Sequence, residues 1–233
     1  MPCSLAFGVL AASLVCAEPP PPPSAATGYD GAVARLAADR AALATGYRGA
    51  KDAKAREALV ARARARLLDA IDRELVPAWF GTPWEFYGTS EQPGKGTIAC
   101  GYFVSTVLRD AGLRVPRVLL AQQASEHIVQ TLTPEPRIVR LRNLSQEEVV
   151  RQARARGDGL YVIGLDFHVG FLHIEGASAR FCHSSYLGAR VVVCEKAEDA
   201  PAMGSSYYVI GDALGDERVV DWLLQRAIPV RRR

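Results

Sequence analysis

Apolar positions recur at helical spacing in the first third of the chain. Val60, Ala63, Leu67, Ile71 and Leu75 form one stripe, and the Ala-, Arg- and Leu-rich stretches 30–45 and 51–76 each predict a helix. Thr45-Gly46 and Gly49 punctuate them, and Pro77 stops the second. An aromatic loop, Trp79-Phe80-Gly81-Thr82-Pro83-Trp84, leads into "GTIACGYFVSTVLRDAGL", residues 96–113. There Cys100, Val104, Val107, Leu108 and Ala111 share one face of a helix that Gly112 ends, so Cys100 sits inward on a first turn. A further helix is expected over 119–131, and Ser145 with Glu148 reads as a capping box for a helix ending near Gly157.

Beyond Gly157 the period changes to that of strands. Runs 159–165, 168–175, 179–185, 189–195 and 206–211 are rich in Val, Ile, Tyr and Phe and are separated by Gly, Asp or Ser, as in an antiparallel meander. A last helix is expected over 215–227. Helices first and strands later predict an α+β domain in which a helix packs on a sheet of about five strands, preceded by two helices.

Composition changes this picture mainly at the ends. With 233 residues, 49% of them hydrophobic, the chain is long enough for one sizeable core or a core with a small subdomain. A net charge of +3 gives no argument for nucleic acid, because the arginines of 35–73 alternate with Asp39, Asp52, Glu57, Asp69 and Asp72 as on a solvated face. The apolar run Leu5 to Val15, followed by Val15-Cys16-Ala17, fits a signal peptide cleaved after Ala17, and it is too short to span a membrane. Export to the periplasm or the exterior is therefore expected, with no stable membrane insertion, and lipidation at Cys16 is the weaker reading. Glu18 to Ser24 forms a polyproline tether. The expected organisation is thus a signal peptide over 1–17, a Pro-rich linker over 18–28, a helical region over 29–77 and a main domain over 78–233, in a monomer.

The candidate chemistry centres on Cys100. Unsatisfied N–H groups and the partial positive charge of a helix N-terminus favour the thiolate, and full activation needs a base whose tautomer a third group fixes. Strand alternation sorts the histidines: His168, Gly170, Leu172 and Ile174 share one face, and His173 lies on the other. Gly170 leaves room beside His168 for a helix terminus or a substrate to approach. On the next strand Phe181, His183 and Ser185 share a face, so a hairpin brings His183 beside His168 as its orienter. His173 reads as a satisfied sheet histidine or one facing solvent, and His127 as a surface residue. Cys182 and Cys194 lie symmetrically about Gly188 on a hairpin, either as a cross-strand disulfide or as two packed thiols. If they pair, and Cys3 and Cys16 leave with the signal peptide, Cys100 is the odd thiol. No CxxC or HExxH spacing occurs and no phosphate-cradling loop precedes a helix, so neither metal nor cofactor is expected. Gly94-Lys95-Gly96 reads as a flexible cleft loop.

"ACGYFVSTVLRDAGL" followed by "HVGFLHIEGASARFCHSS" resembles the NlpC-type cell-wall cysteine peptidases, a branch of the papain-like fold, over roughly residues 79–195. The resemblance implies a papain-like domain with Cys100 as nucleophile, His168 as base and His183 as third member. "GTPWEFYGTS" resembles the loop that lines the cleft in that family, which places Trp84 or Tyr87 near the substrate. The implied substrate is a peptide of bacterial cell wall (peptidoglycan). Ala99, Gly101 and Tyr102 stand where the family has Asp, Ser and Gly, and these departures motivate one alternative, an amidase or acyltransferase acting on another amide or thioester; a second is a non-catalytic envelope-binding protein of the same fold that uses the aromatic cleft around Trp84 for binding.

Overall fold

The computed structural model describes residues 28–231. The expected signal peptide, most of the expected Pro-rich linker, Cys3, Cys16 and the last two arginines lie outside the described residues.

The chain opens with α1 (Tyr29–Gly49) and α2 (Ala53–Ala70), the second capped by Asp52, whose side chain accepts from the N–H of Ala55. α2 runs on through a π-helical turn, Ile71–Leu75, into Val76–Ala78. That widened turn lies where the ring of Pro77 would otherwise press on the helix, which ends two residues later at Trp79. α3 (Cys100–Asp110), α4 (Arg117–Ala121) and α5 (Ser125–Leu132) follow, then β1 (Val139–Arg142) and α6 (Gln146–Arg154). The strands β2 (Gly159–Leu165), β3 (Val169–Glu175), β4 (Ser178–Ser184), β5 (Val192–Lys196) and β6 (Tyr207–Asp212) precede α7 (Asp216–Leu224).

The architecture is α+β around an antiparallel sheet of six strands in the order β1-β6-β2-β3-β4-β5. β2 to β5 form four strands of the expected five-strand meander, and the fifth run does not continue it. β6 then returns to the free edge of β2, and β1 pairs outside it. Three expectations are corrected here. The sheet gains β1, whose sequence VRLR alternates half-buried and exposed positions at the edge of the sheet. The helix expected over 119–131 is two, because Ala124 is extended and the hydroxyl of Ser125 bonds the carbonyl of Leu165, tying the second helix to β2. The capping box is half formed: Ser145 accepts from the N–H of Glu148, while the carboxylate of Glu148 is held by Arg151 and Gln152.

Both sheet faces are covered. Leu160, Val162, Val169, Phe171, Cys182 and Val209 join a core with α1, α2, α3, α5 and α7, and the alternate residues Tyr161, Ile163, Leu172, Ile174, Phe181 and Ile210 join a second with α6. The helices of 29–77 therefore share the main core. Tyr29, Trp79, Phe103 and Phe171 form a continuous run of edge-to-face rings from α1 to β3. Asp72, in the π-helical turn, reaches the sheet at Arg180 (2.7 Å) and His173 (3.0 Å). No helix among the described residues is long and apolar enough to cross a membrane.

Candidate active site

α3 begins at Cys100 because the chain before it is extended and pinned on both sides. The carbonyl of Ile98 accepts a bond from the buried hydroxyl of Ser184 on β4 (2.7 Å), and the N–H of Ala99 donates to Gly88 (2.9 Å). Gly88 has no side chain to hold the aromatic loop away: a Cβ there would lie 2.6 Å from the backbone nitrogen of Ile98. On its other flank the loop is tied by the N–H of Trp84 to Arg190 (2.7 Å). Trp84, Tyr87, Cys100 and His168 consequently line one cleft of about 800 Å³. The structure therefore places four of the five site residues expected from sequence around a single opening, and the fifth, His183, lies directly behind His168.

Gly101 is required by packing. A Cβ at that position would run into the carbonyl oxygen of Ala121 at the end of α4, so a serine is sterically excluded there. Gly170 corrects an expectation. Its missing side chain leaves room for β4, where a Cβ would sit 2.9 Å from the Cβ of His183, and admits neither a helix terminus nor a substrate. Gly94-Lys95-Gly96 is also corrected: it forms a turn beside the loop, held by the hydroxyl of Ser90 and by a bond from Gly94 to Thr82, and does not line the cleft.

His168 and His183 meet through His168 Nε2 and His183 Nδ1 at 2.7 Å, with ring planes 84° apart. Phe181 stacks on His183 at 4.2 Å and meets His168 edge-on at 5.9 Å. The two histidines share a face, as alternation requires, but it is the face that α6 covers rather than the one under α3. His168 reaches the cleft that Cys100 lines because it precedes β3 at the mouth of the β2–β3 hairpin, where the N–H of Val169 is directed at the sulfur.

A fourth group extends the row. His183 Nε2 lies 3.0 Å from a carboxylate oxygen of Glu195 on β5. An ionised carboxylate accepts only, so His183 carries its proton on Nε2, and its bare Nδ1 accepts from Nε2–H of His168. His168 is left with Nδ1 as its one basic nitrogen. The position of Glu195 follows from pairing: Cys182 faces Cys194, so Glu195 faces Phe181, on the same side as His183. That register was the available signal, since the two cysteines mark it in the sequence. Tyr186, 5.1 Å from the ring of His168, is a further cleft residue that sequence reasoning missed.

Burial dominates the electrostatics. It pushes His168 down to about 3, helped by His183, and pushes His183 down to about 3, so both rings rest neutral at neutral pH. Burial also raises the Cys100 thiol above its ordinary value, against the opposing pull of the N–H groups of Val169, Gly101 and Cys100 itself. The expectation that helix position lowers this pKa is therefore corrected: in this resting arrangement desolvation outweighs the helix N-terminus. Cys182 and Cys194 are joined as a disulfide, which leaves Cys100 as the free cysteine among the described residues. His173 is a buried sheet histidine satisfied beside Asp72 and Arg180, and His127 is half-buried on α5.

Comparison with protein-family models, curated proteins and solved structures finds no match.

Proposed function

We propose that this chain is an exported cysteine hydrolase of papain-like architecture that opens an amide bond through a thioester on Cys100. The observation that carries the reading is the contact between His168 and His183 at 2.7 Å, with His168 and Cys100 on one cleft. Nδ1 of His168 takes the thiol proton as sulfur attacks the carbonyl carbon, so a neutral thiol and a neutral base are converted together rather than waiting as an ion pair. The first-turn N–H of Cys100 has no acceptor within its helix and serves as donor to the oxyanion that develops once the sulfur has attacked. The C–N bond breaks as His168 returns the proton to the amine. Water then adds to the thioester, His168 accepts its proton, and the C–S bond breaks to release the acid and restore the thiol.

Sequence resemblance makes a cell-wall peptide the leading substrate. A second reading, an amidase or acyltransferase on another acyl group, is favoured by Ala99 and Gly101 beside the nucleophile and by the cleft lining. The reaction is tested by intact-protein mass spectrometry after exposure to an activated acyl ester. Wild type gains one acyl group, Cys100→Ala gains none, and His168→Ala is slowed by about 10²–10⁴-fold. An acylated Cys100→Ala protein refutes the assignment. Digestion of isolated cell wall separates the substrates, because only the peptide reading produces new peptide termini.

A further inference from the structure

The lining of the cleft contains no Asp, Glu, Lys or Arg among the described residues. The charged neighbours of its lining residues are turned elsewhere. Glu85, between Trp84 and Phe86, is met by the hydroxyl of Thr97, and Asp166, beside Phe167, is engaged by the hydroxyls of Ser205 and Ser206. Arg117 gives its N–H groups to Thr106 and to the carbonyls of Thr89 and Ser90, and Arg190, which lies over the ring of Trp84 (4.7 Å), does not itself line the opening. Meanwhile Phe86, Tyr87 and Phe167 are 71, 86 and 94% exposed around that opening. Three exposed aromatics clustered on one cleft form an apolar surface that awaits a ligand. The volume, about 800 Å³, is that of a small-molecule site.

Resting on the acyl-enzyme reading above, and choosing its second substrate class over the cell-wall peptide, we infer that the acyl group transferred to Cys100 is uncharged and apolar, held between the rings of Trp84, Tyr186 and Phe167, and that charged stem peptides are poor donors. Recognition of a carboxylate or an ammonium requires a counter-charge or a set of aimed donors to replace lost hydration. The neutral amides here are Gln122 and Gln123. The first donates to the hydroxyl of Tyr102 and the second to the carbonyl of Leu119. An aliphatic or aromatic acyl chain needs no such partner and gains from every methylene that leaves water.

The test uses the wild-type protein with the p-nitrophenyl esters of acetic, propionic, butyric, valeric and hexanoic acids, and with the glutaric half-ester, which matches the valeric chain but ends in a carboxylate. Each reaction forms the S–C bond at Cys100 and breaks the C–O bond to release nitrophenolate, with Cys100→Ala as background. The second-order rate constant for acylation is expected to rise about fourfold per methylene, and the glutaric ester is expected to react about tenfold or more slowly than its valeric counterpart. Acylation of Cys100 that is flat with chain length, or equal for the charged and uncharged esters, overturns the inference while leaving the hydrolase reading intact. Failure of every ester to acylate Cys100 overturns the hydrolase reading instead.

Discussion

Replacing Glu195 with alanine removes the acceptor of His183 Nε2–H and leaves every cleft residue in place. His183 is then free to carry its proton on Nδ1, which faces His168 Nε2. His168 must answer by moving its own proton to Nδ1, and the acceptor for the thiol proton is gone. A hydrogen bond to a charged partner contributes about 1.5–3 kcal/mol when both ends are buried. Here the histidine is fully buried but the carboxylate is 32% exposed, so water partly replaces it. A loss of about 1–2 kcal/mol follows, a 5- to 30-fold fall in the acylation rate with KM nearly unchanged. Glu195→Gln should recover most of it, because the amide oxygen accepts the same proton. The pH profile separates this role from simple stability. Burial raises the pKa of Glu195, and its protonation removes the charge from the acceptor and adds an O–H that competes to donate to His183 Nε2, so wild-type activity falls on the acid side as Glu195 gains its proton. Glu195→Gln should lack that limb. Nitrogen-resolved NMR of the imidazoles should show His183 protonated on Nε2 in wild type and redistributed in Glu195→Ala. Wild-type acylation by Glu195→Ala, with the His183 tautomer unchanged, would refute the argument.

The buried histidines make stability fall with acid. Their folded pKa values, about 3, lie below the ordinary 6.5, so the unfolded chain binds protons that the folded one excludes as the pH drops below 6.5. Each costs about 2 kcal/mol by pH 5 relative to pH 8, read as a falling urea midpoint that His183→Asn makes shallower; an acid slope unchanged by that variant refutes it. Gly101→Ala forces its Cβ against the carbonyl of Ala121, and should lower stability by about 1–3 kcal/mol, or about 3–9 °C in Tm, while slowing Cys100 acylation; a wild-type Tm by calorimetry shows that the contact relaxes freely.

What the sequence made legible was what local periodicity controls. β2 has the limits its apolar run predicts, α3 begins at the cysteine, and the capping serine of α6 is where it was expected. Alternation also placed His168 and His183 on a common face. The break at Ala124 was hidden because it follows from the bond between Ser125 and Leu165, forty residues away. β1 was hidden because half of its four residues are arginine, as suits a strand with one exposed face. The direction of the Cys100 pKa shift was out of reach for a related reason: the helix N-terminus is a local feature, but the desolvation that overrides it depends on packing by segments distant in the chain, the start of β3 among them. The uncharged character of the cleft was equally dispersed, since its walls come from residues near 84, 100, 122, 167 and 186, and the neighbouring charges are withdrawn by partners distant in the chain.

The Cys182–Cys194 bridge and the His183–Glu195 contact occupy opposite faces of the same two strands, one residue apart. A slip of β5 by one residue would turn Glu195 to the face of the sulfurs and leave His183 without its carboxylate. The covalent bond forbids that slip. The disulfide therefore does more than fasten an edge strand: it sets the phase of the Glu195–His183–His168 row on which the proposed proton transfer at Cys100 depends.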